Sequence, residues 1–261
     1  MSAQTTSEWP GFSTWTKFQA EPGPIDEAIF DPLYRWGEFI RTPTYGRIIE
    51  SPQDCILSIG WDSPKVYRVF KTTHEYQQLM DNLGLNSTQD HTHIITFENY
   101  NYGCPTTPIT EVFTAYWPLS LSPETQVVVW EVESLVHPPA SGRPSRRCYN
   151  RLPVFGWFDG PATWNGDKAL ASMWIHDWKT EELEARFKRT ERRAVPMGRE
   201  VIYPLVVDDF EKRLQDLGAL GFESIHVVFE DLNWIYQTKI ERYNCLEQRK
   251  LDRLARGVDA V

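Results

Sequence analysis

Residues 43–50, PTYGRIIE, and residues 56–61, ILSIGW, have counterparts in the second half of the chain at residues 153–159, PVFGWFD, and 171–178, ASMWIHDW. The Tyr-Gly and Phe-Gly pairs are 110 residues apart, whereas the tryptophans that close the later segments are 117 apart. Matches that keep their order while the offset grows indicate a duplicated unit. We therefore predict two copies of one fold, with a loop seven residues longer in the second copy.

The hydrophobic pattern predicts the same order of elements in each copy, β-α-β-β-α-β. Ser63 and Pro64 are typical of an N-cap and a first helical residue, and Gly218 is typical of a helix end. In the first copy we predict strands near residues 12–20, 45–50, 55–62 and 93–99. We predict helices from Ile25 to Ile40 and from Ser63 onward. The second of these helices directs Val66, Val69 and Phe70 toward the core. In the second copy we predict strands near residues 109–117, 153–158, 169–177 and 225–231, and helices over 122–136, from Thr180 onward and from Val207 to Leu217.

This order of elements predicts an α+β fold made of two ferredoxin-like βαββαβ repeats. One face of each sheet is covered by helices, and the other faces are buried when the two sheets pack together around a cavity. We assign the first repeat to residues 1–104, the second to residues 105–232, and a polar tail, predicted to be helical, to residues 233–261.

The composition narrows the classes of function. The 261 residues include 11 Trp, 11 Tyr and 13 Phe and carry a formal charge of −9. Nucleic-acid and anionic-membrane binding rely on clustered Lys and Arg, so neither partner is expected. The four cysteines form no metal-binding or redox spacing, and the first residues lack a secretory pattern. We expect a cytoplasmic protein that binds a hydrophobic small molecule; association as a homodimer is left open.

The segment WDSP at residues 61–64, followed by Phe70, Thr73 and Tyr76, resembles a stretch found in dimeric α+β barrel proteins. These include the antibiotic-biosynthesis monooxygenase-like, EthD-like and stress-response cyclase-like groups. The resemblance is clearest over residues 45–97 and weaker over residues 154–231. His74 stands where the motif has proline, and the second copy also lacks that proline.

The resemblance implies a fused pseudo-dimer, in which one chain supplies both halves of the barrel. Members of these groups act on small aromatic or polyketide-like molecules, often without a metal or organic cofactor. Some oxidise anthrone-type phenols with oxygen alone, others close or dehydrate rings, and fungal secondary metabolism contains such proteins. Because one fold hosts many reactions, these implications are stronger for the fold than for the chemistry.

Histidines are the first candidates for catalysis. His176 shares a strand face with Trp174 and Trp178, at a place where the first copy is aliphatic. It is a candidate general base, with a core histidine as the alternative. His91 and His93 form an H-x-H pattern that lacks a third ligand of fixed spacing. We therefore predict no metal and regard His93 as a candidate base.

Other candidates come from the repeat and the resemblance. Glu98 and Glu230 occupy equivalent strand ends and are either an acid–base pair or two solvent-facing ends. Tyr76 lies where ring-closing members of the resembled groups place a catalytic histidine, or it packs a helix face. For substrate binding we select five aromatic residues on predicted strands: Trp61, Tyr116, Trp117, Trp174 and Trp178.

These features favour an enzyme without a cofactor. It would catalyse cyclisation, rearrangement or proton transfer on a hydrophobic polyketide- or terpenoid-derived intermediate. A cofactor-free monooxygenase of an anthrone-like substrate is the alternative enzyme, and a hydrophobic-ligand-binding stress-response protein is the non-catalytic alternative. Oxygen consumption distinguishes the two enzymes.

Overall fold

The computed structural model describes residues 11–86, 91–97, 109–132, 148–150, 153–189, 191–194 and 201–232. In the first half the elements are β1 (Gly11–Gln19), a 3-10 helix (Glu27–Trp36), β2 (Ile40–Ile48), β3 (Asp54–Trp61), α1 (Pro64–Phe70), α2 (His74–Asn82) and β4 (Thr92–Phe97). In the second half they are β5 (Ile109–Trp117), α3 (Pro123–Glu131), β6 (Val154–Phe158), β7 (Ala162–Trp164), β8 (Asp167–Trp178), α4 (Glu181–Lys188), β9 (Glu191–Ala194), β10 (Val201–Leu205), α5 (Val206–Asp216) and β11 (Gly221–Asp231).

Eight strands form a closed antiparallel barrel in the order β5-β11-β2-β3-β1-β4-β6-β8, and β8 pairs with β5 to complete it. The first half contributes β4, β1, β3 and β2, and the second contributes β11, β5, β8 and β6 in the equivalent order. The predicted fold class is therefore confirmed. The short β7 forms a hairpin with β8, where the second copy is longer than the first.

Two strand pairs join the halves. In each pair, the last strand of one half lies beside the second strand of the other half. β11 pairs with β2, and β4 pairs with β6, all antiparallel. A glycine lies at both junctions, Gly46 opposite Phe229 and Gly156 opposite Phe97. A Cβ atom would lie 2.3 Å from the Val228 carbonyl oxygen at Gly46, and 2.6 Å from the Phe97 ring at Gly156. Only glycine fits these crossings, which explains the repeated aromatic-glycine pair in the sequence.

The strands alternate between a face inside the barrel and a face under helices. The inner face carries a cluster that includes Trp15, Ile56, Phe97, Val112 and Ile175. The outer face of the first half packs under the 3-10 helix, α1 and α2, and that of the second half packs under α3 and α5. The barrel thus separates two kinds of environment, an interior space and two helix-covered layers.

Two local expectations need correction. The segment predicted as a helix from Ile25 to Ile40 is a 3-10 helix from Glu27 to Trp36, and Ile40 already belongs to β2. Pro32 lies inside it, and a proline ring clashes with the carbonyl of residue i−4 in an α-helix. Val69, expected in the core, is half exposed, and Tyr67 on the same helix is buried instead. The helix expected over 122–136 is confirmed from Pro123 to Glu131, with Ser122 as its cap, and residues 133–136 lie outside the described ranges.

The repeat boundary and the C-terminal tail stay predictions, because residues 98–108 and 233–261 lie outside the described ranges. Among the residues that the structure does describe, no helix has both the length and the apolar character needed to cross a membrane.

Candidate functional site

A cavity of about 830 Å³ lies inside the barrel, between the inner faces of the two halves. Trp15, Phe158 and Met173 supply apolar walls, and Thr114 supplies a hydroxyl group. Ligand pockets are typically cavities of 300–1,000 Å³ with mainly apolar walls and a few polar groups. This space therefore has the size of a small-molecule site, with walls in which polar and apolar groups contribute about equally.

Two of the predicted site residues line the barrel cavity, His93 and Tyr116. The His93 ring packs edge-on against Phe158, with ring centroids 5.0 Å apart. The Tyr116 ring stacks on Trp164 at 4.4 Å, and its hydroxyl donates a 2.8 Å hydrogen bond to Glu223. Burial and the Glu223 carboxylate raise the pKa of Tyr116, so the phenol stays protonated and its O–H stays bonded to Glu223.

Charged groups border the same cavity. The Lys17 ammonium lies 2.8 Å from an oxygen of Asp54, and Glu50 accepts a hydrogen bond from the backbone N–H of His226 at 2.9 Å. The cavity therefore presents acids, one ammonium and one imidazole along with its aromatic walls. Such a mixture can bind a flat molecule that carries hydroxyl or carbonyl groups.

A second group of polar residues lies on the outer face of the second half, beneath α4. We name it the α4 cluster: Glu111, His176, Glu184, Lys188 and His226. Lys188 donates to Glu111 at 2.7 Å and also contacts Glu184, while Nε2 of His226 lies 2.9 Å from Glu184. A groove of about 460 Å³ reaches Glu184, Lys188 and His226 from the surface.

His176 lies at the bottom of the α4 cluster and is fully buried. Its Nδ1 is 3.6 Å from a Glu111 oxygen, beyond hydrogen-bond distance. Among the described residues, neither ring nitrogen of His176 has a hydrogen-bond partner. Burial lowers the pKa of His176 to about 4, so the imidazole is neutral near pH 7.

The charges of the α4 cluster hold one another in their ionised forms. Burial opposes ionisation of Glu111, but nearby positive charge and hydrogen bonds, including those from Lys188 and Ser224, keep its pKa well below the ordinary value. The hydrogen bond to Glu184 raises the pKa of His226 to about 9, against the effect of burial and with help from Glu50. The cluster is thus a buried ion network.

Most of the other predicted residues lie away from the barrel cavity. Trp61 is in the helix-covered layer of the first half, and Trp117 and Trp174 are in that of the second. Trp178 donates to Glu111 at 2.8 Å on the same outer side. This placement gives no support to the substrate-binding role predicted for these four tryptophans, because the inner faces of β3, β5 and β8 are formed by the alternate residues.

Tyr76 is buried under the first helix layer, where it packs edge-on against Phe70 at 5.6 Å. Glu98 lies outside the described residues. Its equivalent Glu230 is exposed on the outer face, where it accepts a 3.1 Å hydrogen bond from Tyr45. The arrangement of Glu230 matches the interpretation as a strand end better than an acid facing the cavity.

Sequence reasoning missed several cavity residues, above all Phe158, Glu223 and Lys17. Alternation places Glu223 on the same face as Ile225 and Val227, and that signal was present in the sequence. The pattern defines two faces on each strand, but it does not say which face lies inside a barrel.

The geometry defines an α+β protein with a closed eight-stranded antiparallel barrel, consistent with a fused dimeric α+β barrel. No protein-family model matches the chain, and no curated protein matches it. Solved structures do resemble it. An anthrone oxidase-like protein superposes with a TM-score of 0.51 at 12% identity, over 86% of this chain and 94% of that chain.

Two bacterial proteins give lower scores. A candidate monooxygenase from Lactobacillus acidophilus has a TM-score of 0.47 at 10% identity, covering 85% of this chain and 94% of its own. A candidate monooxygenase from Fusobacterium nucleatum subsp. nucleatum has a TM-score of 0.49 at 8% identity. The match covers 86% of this chain and 96% of that chain. At such identities the likeness concerns the fold, and activity must be argued from the site.

Proposed function

We propose that the chain is an enzyme that oxygenates a flat, hydroxylated aromatic molecule inside the barrel, with molecular oxygen as the oxidant and no organic cofactor. The observation that carries the proposal is the barrel cavity of about 830 Å³, where His93 and the Tyr116–Glu223 pair face a space with aromatic walls. The shared fold of an anthrone oxidase-like protein favours this activity over cyclisation, the alternative.

The walls favour a planar ligand. Trp15, Tyr116 and Phe158 offer ring surfaces from different strands, and aromatic pairs gain from stacked or edge-on contact. The Thr114 hydroxyl can hydrogen-bond to phenol or carbonyl groups at the rim of the ligand, and the Tyr116 oxygen can accept from a phenol. A ligand bound in this way is held in one orientation and partly shielded from water.

The chemistry requires a base and a proton donor. His93 takes a proton from an activated ring CH₂ group, and the resulting carbanion passes one electron to O₂. The two radicals combine to a peroxide, which loses water as the second C–H bond breaks and the ketone forms. The CH₂ group and O₂ thus give C=O and H₂O, a four-electron oxidation of carbon matched by four-electron reduction of oxygen. In this proposal the Tyr116 O–H turns from Glu223 to the ring oxygen that carries the developing negative charge.

The test uses 1,8-dihydroxyanthrone, an oxygen electrode and the absorbance of the quinone product, with heat-denatured protein as the blank. We expect one O₂ consumed per quinone and a fall in kcat of about 100-fold in His93→Ala, the usual contribution of a general base. The matched control is His74→Ala, which removes an exposed histidine on α2. An oxidation rate that His93→Ala leaves unchanged contradicts the assignment of the base.

Other outcomes identify the alternatives. Conversion of a polyketide-like probe without oxygen uptake would favour cyclisation or rearrangement in the same cavity. Ligand binding, followed by quenching of tryptophan fluorescence, without turnover of any probe would favour the binding protein. Native mass and the visible spectrum of the purified protein check the proposal that no organic cofactor is present.

A further inference from the structure

The α4 cluster has a backbone arrangement that aligns two imidazoles with a carboxylate. In the antiparallel register, Glu111 of β5 lies opposite His176 of β8 and opposite His226 of β11. All three side chains occupy the helix-covered face, so the row His176–Glu111–His226 is set by strand pairing rather than by loops. α4 then places Glu184 over the row, 2.9 Å from Nε2 of His226.

The spacing of these atoms suits a single metal ion. The ligating atoms of Glu111, Glu184 and His226 all lie within 4.8 Å of one another. Donors around a tetrahedral zinc ion, bound at about 2.0–2.2 Å, are themselves roughly 3–4 Å apart. Small side-chain rotations bring the three donors to that separation, and the groove of about 460 Å³ provides the entry path.

Outer hydrogen bonds orient the ligands as they do in metal sites. Nδ1 of His226 lies 2.5 Å from Glu50, so this hydrogen bond can persist when Nε2 exchanges its contact with Glu184 for a bond to the ion. Ser224 and Trp178 donate to Glu111, at 2.7 and 2.8 Å, and fix the plane of its carboxylate.

His176 supplies an independent observation. It is fully buried and neither ring nitrogen has a partner among the described residues, although its Nδ1 faces Glu111 at 3.6 Å. Buried polar atoms nearly always have a partner, so an orphaned imidazole beside two carboxylates needs an explanation. A metal ion bound at Glu111 would give the His176 ring a partner.

The equivalent row of the first half shows that the fold does not require these residues. There Ile59 and Ile94 flank Thr14 in the same register, and Tyr67 of α1 lies over them, 117 residues before Glu184. Positions that are aliphatic, hydroxylic or aromatic in one half therefore carry metal-ligand side chains in the other.

We propose that Glu111, Glu184 and His226, with His176 beside them, form a binding site for a divalent first-row transition-metal ion, whose place the Lys188 ammonium holds in the metal-free protein. Two imidazoles and two carboxylates suit Zn²⁺, Co²⁺ or Fe²⁺ better than Mg²⁺ or Ca²⁺. Lys188 contacts both carboxylates and extends toward the groove, so it can leave as the ion enters. This site is on the outer face of the sheet and does not depend on the function proposed for the barrel cavity.

The test titrates EDTA-treated full-length protein with Co²⁺, read by visible absorption, and then with Zn²⁺ as competitor. We expect the wild-type protein to bind one equivalent of Co²⁺ with saturation. The affinity should fall at least tenfold in His226→Gln and in Glu184→Gln. It should rise about tenfold in Lys188→Met, because the competing cation is gone. Zn²⁺ should raise Tm in the wild-type protein, and more so in Lys188→Met. His226→Gln alters a partly exposed residue beside the groove, so the test does not rely only on Glu184→Gln or on Glu111→Gln, each of which removes a buried charge.

Controls separate this site from rival ones. His74→Gln removes an exposed histidine, and His93→Gln removes one half of the H-x-H pattern. Both should bind Co²⁺ as the wild type does. The proposal is overturned if neither the wild type nor Lys188→Met binds one equivalent, or if binding survives in the ligand variants and disappears in His93→Gln.

Discussion

The two halves of the barrel carry equivalent tryptophans, and each donates a hydrogen bond from its indole N–H. The acceptors differ between the halves. In the first half, Nε1 of Trp61 donates to the Thr14 hydroxyl at 2.8 Å. In the second half, Nε1 of Trp178 donates to the Glu111 carboxylate, also at 2.8 Å. The hydroxyl is neutral and satisfied by one donor, whereas the buried carboxylate requires further donors and positive charge.

The difference in acceptor accounts for which side chains surround each tryptophan's partner. Around Thr14 the first half is filled with aliphatic and aromatic side chains. Around Glu111 the second half adds Lys188 and Ser224 as donors. The comparison teaches that the helix-covered layer folds with either content, so the polar version is a specialisation of one half.

The largest change in stability is expected when Glu111 is replaced. Glu111→Leu removes the acceptor of three donors and leaves the Lys188 ammonium half-buried with one carboxylate fewer. We expect the free energy of unfolding to fall by about 3–5 kcal/mol, the usual result of breaking a buried ion pair. Urea denaturation in EDTA measures it, with Glu131→Leu on the exposed face of α3 as control. A loss below 1 kcal/mol would mean that the network contributes little.

The corresponding change in the first half should be milder. Thr14→Val keeps the shape of the side chain but leaves Nε1 of Trp61 buried without an acceptor. An unsatisfied buried donor costs about 1–3 kcal/mol, so we expect a loss in that range by the same measurement. A loss equal to that of Glu111→Leu would contradict the distinction between the halves.

Making the second half more like the first at His176 should stabilise it. His176→Ile restores the residue type of Ile59 and removes two orphaned ring nitrogens. We expect the metal-free protein to gain about 1 kcal/mol, measured by urea denaturation in EDTA. Destabilisation would indicate that the imidazole contributes more through its packing than its buried nitrogens cost.

The smallest effect is expected where charges are exposed. The Lys17 hydrogen bond lowers the pKa of Asp54 at the barrel cavity, so ionised Asp54 stabilises the fold above the ordinary carboxyl range. That contribution is lost as the pH falls, and Asp54→Asn should remove it, with a change within about 0.5 kcal/mol. Comparing the free energies of unfolding of the two proteins at pH 6 and pH 3 measures it. A larger change would show that the pair is shielded from water.

Local chemistry and the repeat predicted much of the fold. Ser63 caps α1 as expected, α4 begins next to Thr180 where a helix start was predicted, and Gly218 follows α5 with φ of 98°. The aromatic-glycine repeat pointed to equivalent strands, which the structure places at the two junctions. The sequence could not show that the last strand of each half pairs with the second strand of the other, because such pairing depends on closure of the whole barrel.

The candidate site was harder to predict for a geometric reason. His176 was correctly identified as a polar exception on an apolar strand face, but its partners come from β5, β11 and α4, and no sequence spacing relates them. His93 and Tyr116 were selected singly, and only the closed barrel brings them to one cavity.

The crossed pairing of the halves also has a consequence for the order of folding during synthesis. β2 and β4 end the first half with strand edges whose partners, β11 and β6, are made later, and β11 ends only at Asp231. Until then those edges are free to pair with other chains, and contacts so distant in sequence form slowly. We expect truncation before β11 to produce aggregates rather than a half-barrel, and the nascent chain to depend on protection until its last strand has emerged.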